Sequence, residues 1–171
     1  HIARQLHMPA PVVCQPYYNL LNRQPEVEVL DACAHHGIGV VPYSPIARGV
    51  LAGKYTPGAA PAEGSRAARG DKRMMQTEFR DESLRIAQTL KAHCERKGVG
   101  LTHFATAWVL AHRAVSAVIA GPRTLEQWVS YLGALDIRLD AEDEALVDQL
   151  VCPGHPSTPG YTDPAYPLAG R

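Results

Sequence analysis

Apolar positions along the chain follow two rhythms. Short unbroken runs stand at residues 11–15 (Pro-Val-Val-Cys-Gln), 38–41 (Ile-Gly-Val-Val) and 115–119 (Val-Ser-Ala-Val-Ile). Runs this short, bounded by Pro, Gly or polar residues, predict buried strands. Elsewhere apolar residues recur every three or four positions. Over 26–36 these are Val27, Leu30 and Ala34, with Cys33 beside them. That segment predicts a helix with Pro25 in its first turn, Glu26 and Glu28 near its start, His35 and His36 near its end, and Gly37 as C-cap. Over 81–97 the stripe is Leu84, Ala87, Leu90 and Cys94, closed by Gly98. Over 102–112 Thr102 reads as N-cap, with Ala105, Trp108 and Val109 inward. Thr124-Leu125-Glu126-Gln127 reads as a capping box, opening a helix whose buried face is Leu125, Trp128, Leu132 and Leu135. Asp140 caps a final helix with Leu146, Val147 and Leu150 inward. Residues 1–8 read as the last turns of a helix, stopped by Pro9 and Pro11.

Strand, helix, strand is the pattern of a parallel sheet, so the fold class is α/β. Two stretches fall outside it. Residues 45–80 read as one long irregular segment, and segments this long inside a domain are usually functional or disordered. Residues 153–171, rich in Pro, Gly and Tyr, read as an extended tail behind a unit spanning 1–152. Three parallel strands alone would leave two apolar edges. The chain also starts at His1, on what reads as a helix end, with no initiator Met. Both features lead to the expectation of a piece of a larger barrel or sheet.

Composition narrows the function classes. The chain has 171 residues, 46% hydrophobic and 20% charged, with 17 Lys+Arg against 17 Asp+Glu. A nucleic-acid binder would show a basic excess, so no nucleic-acid partner is expected. No apolar run approaches the roughly 18 residues of a membrane span, and no membrane role is expected. Cys14, Cys33, Cys94 and Cys152 are dispersed, with no CxxC pair. Buried free thiols in a reducing, cytoplasmic setting are the expectation. The eight histidines contain no HExxH, and no metal site is assigned.

In parallel α/β folds ligands bind at the carboxyl ends of strands. Three places qualify: Gln15, the stretch from Tyr43 to Lys54, and the segment 121–127. They offer an amide, an aromatic face, backbone amides from a Gly/Pro loop, and cations. A nucleotide would use all four, pairing amide with amide, ring with ring, and phosphates with a helix N-terminus and nearby Arg or Lys. Each residue also has a purely structural reading. Gln15 could satisfy a strand end, Tyr43 could be a core aromatic with a wet hydroxyl, and Gln127 could serve its own helix cap. Arg66, Arg69, Lys72 and Arg73 could form a solvated loop face.

Gln15-Pro16-x-Tyr18-Asn19, then Tyr43-Ser44-Pro45-Ile46-Ala47-Arg48-Gly49-Val50-Leu51-Ala52-Gly53-Lys54-Tyr55, then Ile119-Ala120-Gly121-Pro122-Arg123-Thr124-x-Glu126-Gln127 with Leu132-Gly133-Ala134-Leu135, resembles the carboxyl-terminal half of an aldo-keto reductase. The branch most resembled holds bacterial reductases and potassium-channel beta subunits. The likeness covers about residues 9–151. It implies part of a (β/α)8 barrel, about its last three βα units, with NADP(H) bound at the carboxyl face. It further implies that Gln15 holds the nicotinamide carboxamide and that Tyr43 stacks on the ring. Ser44, Pro45, Ile46 and Arg48 would line the pyrophosphate. Lys54 and Arg66 match basic positions of the loop over the cofactor. Gly121 lies in the loop leading to Arg123 and Gln127, which would sit near the 2′-phosphate and the adenine. Ser130 and Tyr131 stand where the family usually carries an acidic or amide residue and then Asn.

The implied activity is NADPH-dependent reduction of an aldehyde or ketone, a small-molecule carbonyl, to an alcohol. The family's Tyr, Lys, Asp and His tetrad belongs to the first half of the barrel, so no catalytic residue is assigned and the chain alone is expected to be inactive. The missing amino-terminal half of the same barrel is the expected partner. The alternatives are a non-catalytic NADP-binding regulatory subunit like the channel beta subunits, and a barrel of another family using its final loop for phosphate.

Overall fold

The computed structural model describes residues 1–167. The final four residues of the tail expected at 153–171 lie outside them. A short helix, α1 (Ile2–Gln5), leads through Pro9 and Pro11 into β1 (Val13–Cys14). A 3-10 turn at Gln24–Val27 and helix α2 (Val29–His36) carry the chain to β2 (Gly39–Val40), which pairs with β1 in parallel, Val13 opposite Gly39. Gly37 ends α2 at φ 67°, where its N–H reaches the Ala34 carbonyl. A left-handed residue there suits glycine, which has no Cβ to clash.

Segment 115–119 lies parallel on the far side of β2. Ser116 donates its N–H to the Val40 carbonyl and Ile119 donates to Pro42, both at 2.8 Å. It is bridged to β2 rather than forming a longer ladder. Parallel bridges join Tyr17 to Tyr43 and Tyr43 to Ile119. These residues therefore line up along one end of the sheet, the carboxyl end of all three segments.

Residues 45–80 are more ordered than the sequence suggests. They hold a 3-10 segment, Ala47–Ala52, and helix α3 (Lys72–Thr77), capped by the Asp71 carboxylate on the Met74 N–H. Helices α4 (Asp81–Arg96) and α5 (Leu101–Ala111) pack over this segment. Leu84, Ala87, Leu90 and Cys94 of α4 and Phe104, Ala105, Trp108 and Val109 of α5 bury against Val50, Leu51 and Tyr18. Full burial of each large side chain stabilises by about 1.5–3 kcal/mol. Gly100, not Thr102, is the N-cap of α5, because Thr102 already lies inside the helix, where its carbonyl accepts from Thr106.

The chain ends in α6 (Leu125–Leu132), α7 (Ala141–Leu150) and a tail. Asp140 and Asp143 form a capping box at the start of α7. The tail is anchored rather than loose. Ser157 donates its N–H to the Leu21 carbonyl, Arg80 donates to Ser157 Oγ and Thr158 Oγ1, and the Arg80 guanidinium lies 3.8 Å over the Tyr161 ring.

Several buried positions expected from periodicity are exposed. Val12 is 77% exposed and Val13 also lies open, because β1 is an edge strand with no neighbour on its outer side among the described residues. Val27 falls in the 3-10 turn, not the helix, and turns outward with Ala34. Leu125, Trp128, Leu132 and Leu135 form the expected stripe, but no described element packs on it, and Leu125 is 76% exposed. Cys33 and Cys94 are buried, whereas Cys152, just past α7, is exposed.

Candidate cofactor-binding site

A cavity of about 640 Å³ opens at the carboxyl end of the sheet. That size is ordinary for a small-molecule site. Tyr43, Ser44, Pro45, Ile46 and Arg48 enter it from the loop after β2, and Lys54 and Arg66 from the segment that follows. Gly121, Arg123 and Gln127 enter from the opposite wall, at the start of α6. Of the residues assigned to the cofactor by resemblance, only Gln15 is missing from the cavity wall, and of the basic cluster at 66–73 only Arg66 reaches it. Gln15 is exposed at the end of β1.

The loop after β2 has an unusual backbone. Ser44 (φ 59°), Ala47 (φ 47°) and Arg48 (φ 49°) all occupy the left-handed region. Each such residue costs on the order of 1–2 kcal/mol. They persist where the surroundings over-determine them. Buried Asn19 supplies one restraint: its Nδ2 donates to the Ser44 carbonyl at 3.0 Å while its Oδ1 accepts from the Leu21 N–H. Glu78 supplies another, accepting from Arg48 Nε at 3.1 Å. The result is a turn that curls its backbone around the cavity wall.

Tyr43 sits at the head of that turn, its ring 5.5 Å from that of Tyr17. Its hydroxyl is pushed up, first by burial and then by Tyr166, with Asp163 and Glu78 adding and Arg48 opposing. Tyr43 therefore stays a neutral phenol at physiological pH and offers a ring face rather than a base. The pairing with Tyr17 leaves it half-exposed to the cavity.

Arg48, Lys54, Arg66 and Arg123 all line the cavity, against the single carboxylate of Glu126. Arg48 is paired with Glu78 and Arg66 stands 3.9 Å from Asp71. The amino end of α6 adds its dipole to the same wall. Thr124 Oγ1 accepts from the Gln127 N–H at 3.2 Å, and Gln127 Oε1 accepts from the Arg123 N–H at 2.8 Å. Gln127 thus braces the backbone one residue before the N-cap instead of closing the expected capping box. Its amide NH2 remains the part able to meet a ligand. Positive wall, ring face and backbone turn together suit an extended anionic molecule with a flat ring at one end.

Thr102, Ser130 and Tyr131 also line the cavity. Ser130 Oγ lies 3.1 Å from His103 Nε2. Two supports that hold the site, Asn19 and Glu78, were not singled out from sequence for those tasks. Asn19 stands inside the Gln15-Pro16-x-Tyr18-Asn19 motif, which is the one signal that marks it. Glu78 meets Arg48 across 30 residues and carries no local signal.

The chain belongs to the aldo/keto reductase family, whose family model matches residues 2–151. The family's fold is a (β/α)8 barrel. A probable voltage-gated potassium channel subunit beta of Oryza sativa subsp. japonica is 36% identical over 137 residues, which is 80% of this chain and 42% of that protein. An uncharacterized oxidoreductase, YrpG, of Bacillus subtilis is 36% identical over 154 residues, 89% of this chain and 43% of the relative. L-Glyceraldehyde 3-phosphate reductase of Escherichia coli O157:H7 is 31% identical over 150 residues, 84% and 42% respectively. The chain thus spans less than half the length of these curated relatives. Among the described residues no helix is long and apolar enough to cross a membrane.

Proposed function

We propose that the protein carrying this chain is an NADPH-dependent oxidoreductase that reduces aldehydes or ketones to alcohols. In this reading the chain corresponds to about the last three βα units of the barrel and supplies its cofactor side, with residues 153–167 as an appended tail. The observation that carries it is the single cavity uniting Tyr43, the left-handed turn at Ser44–Arg48, Lys54, Arg66 and Arg123. Tyr43 gives a ring face for the nicotinamide. The turn and Arg48 receive the pyrophosphate, Lys54 and Arg66 cover it, and Arg123 meets the 2′-phosphate. Gln127 and Tyr131 line the end nearest the adenine. Bound dihydronicotinamide supplies the hydride. The chain's residues hold its plane, fix its phosphates and exclude water. Gln15, which does not line the cavity, is kept as the carboxamide partner only on the family likeness.

No residue of this chain is assigned as the proton donor. That donor, the rest of the barrel and the carbonyl substrate's remaining contacts belong to a further segment. Such a segment would also cover the apolar stripe of α6 and pair with the open edge of β1, which are the surfaces left bare in this chain. A cytoplasmic setting is part of the same proposal and rests on the dispersed, unpaired cysteines.

The test is titration of the intact protein with NADPH and NADH, followed by fluorescence quenching. Saturable NADPH binding is expected, and failure to bind either nucleotide overturns the reading. A second reading, a cofactor-binding regulatory subunit without turnover, is favoured by the channel-subunit relatives. NADPH binding with no reduction of any of a panel of aldehydes and ketones would select it.

A further inference from the structure

Glu78 follows the last residue of α3, and its side chain has no exposed surface. A buried carboxylate is costly unless it is paired. This one accepts from Arg48 Nε at 3.1 Å and from the Thr77 hydroxyl, and the Tyr17 hydroxyl lies beside it. Burial pushes the Glu78 carboxyl up, while Thr77, Arg48 and Tyr17 hold it back. Glu78 does not itself line the cavity, whereas Arg48 does. A guanidinium carries five donors in a rigid fork. Glu78 takes the Nε edge of Arg48. Among the described residues the NH1 and NH2 groups of Arg48 form no hydrogen bond. The Arg48 side chain keeps 23% of its surface exposed.

The backbone requires such an anchor. Arg48 sits at φ 49° between left-handed Ala47 and Gly49, and its own peptide geometry does not favour that conformation. Tyr17, whose hydroxyl lies beside the same carboxylate, has its ring 5.5 Å from that of Tyr43. One carboxylate, carried by the loop rather than by the sheet, therefore meets both the anion-facing and the ring-facing sides of the cavity from behind.

We propose that Glu78 is the positioning residue of the anion cradle, holding Arg48 by its Nε edge so that its remaining donors face a phosphate-bearing ligand. The inference rests on the cofactor reading above and names the residue that shapes its phosphate site. Glu78 acts through Arg48 and touches no ligand.

The test uses the intact protein as wild type, Glu78→Gln, Arg48→Ala and the double variant, titrated with NADPH at fixed pH and salt, with thermal melts alongside. Glu78→Gln keeps the shape and removes the charge. It should loosen NADPH by about tenfold, the low end for a charged hydrogen bond. The double variant should bind no more weakly than Arg48→Ala alone, since the two act as one unit. A lowered melting temperature with unchanged NADPH affinity, tighter binding, or simple additivity with Arg48→Ala would each overturn the proposal. If Glu78→Gln does not fold, Arg48→Lys replaces it. Lysine lacks the fork that serves carboxylate and ligand together, so the same loosening is expected and unchanged affinity overturns the proposal. Wild type that fails to bind NADPH removes the cofactor reading and this inference with it. Wild type that binds while the variants are unaffected removes this inference alone.

Discussion

Arg73 and Asp163 face each other fork to fork, NH1 to Oδ1 at 3.0 Å and NH2 to Oδ2 at 2.6 Å. The pair joins α3, in the segment that borders the cavity, to the tail. Tyr161 adds a second tie, donating its hydroxyl to the Gln76 carbonyl at 3.0 Å. Arg73→Ala should therefore free the end of the tail while leaving the core intact. Both side chains keep about a quarter to a third of their surface in water, so the loss of global stability should not exceed about 1 kcal/mol. Hydrogen exchange is the sharper measurement. Faster exchange is expected at Tyr166 N–H, which donates to the Asp163 carbonyl, with no change in α4. Unchanged protection there would mean that Tyr161 and Arg80 hold the tail without the ion pair.

Two apolar stripes with similar spacing behave oppositely, which gives a second prediction. Leu90 on α4 is buried at 1% exposure, whereas Trp128 on α6 is 47% exposed. Leu90→Ala should cost about 2–4 kcal/mol, the transfer term plus a cavity. Trp128→Ala in this chain should stay within about 0.5 kcal/mol, as for a surface change. Denaturant melts distinguish the two. In an intact protein that covers α6, Trp128→Ala should instead become clearly destabilising. An equally small effect there would remove the proposed covering segment.

The same pair of stripes marks what the sequence discloses. Spacing at Leu84, Ala87, Leu90 and Cys94 correctly locates a buried face because α5 and the 3-10 segment lie against it. Spacing at Leu125, Trp128 and Leu132 is as regular, yet periodicity reports a face and says nothing of what covers it. β1 fails for the same reason, since Val12 and Val13 need a partner outside the edge. Cap chemistry was legible where it is local, as at Gly37 and Asp140, and misread at Thr102, where the N-cap lies two residues sooner, at Gly100. Most of the cavity-lining residues were readable because they sit in contiguous motifs. Asn19 and Glu78 were not, because their tasks exist only once distant segments meet.

The junction of α4 and α7 predicts a pH response. The hydrogen bond from Lys97 Nζ to Asp140 Oδ2, 2.7 Å long, holds Asp140 down to about 2. Burial works to raise the Asp143 carboxyl, but hydrogen bonds from His93 and Lys97 outweigh it, and Asp143 is also lowered. Both carboxylates bind protons more weakly folded than unfolded. Their contribution is therefore complete above an ordinary Asp pKa of about 3.9 and lost as pH falls from there toward 2. The Lys97 ammonium is raised by the same two partners, so its share persists through neutral pH and fades only above about 10.4. Thermal melts between pH 5 and 2 should show a steep acid limb that flattens in Lys97→Met. An identical limb in that variant would assign acid sensitivity elsewhere.

Arg123 gives the prediction that bears most directly on the ligand. It lines the cavity beside the start of α6, and its backbone N–H is fixed by Gln127 Oε1 at 2.8 Å. Among the described residues its guanidinium forms no ion pair, so it is free to meet a phosphate. Glu126 lines the same cavity, and removing Arg123 would leave that carboxylate as the nearest charge in sequence. A 2′-phosphate would then meet repulsion where it had met a bidentate donor, while a 2′-hydroxyl would lose little. Arg123→Ala in the intact protein should thus weaken NADPH by roughly 1 to 3 kcal/mol and NADH by much less. Parallel titrations of both nucleotides against both proteins measure the difference. Equal losses for the two would show that Arg123 does not read the 2′-phosphate and would return the choice between NADP and NAD to Lys54 and Arg66.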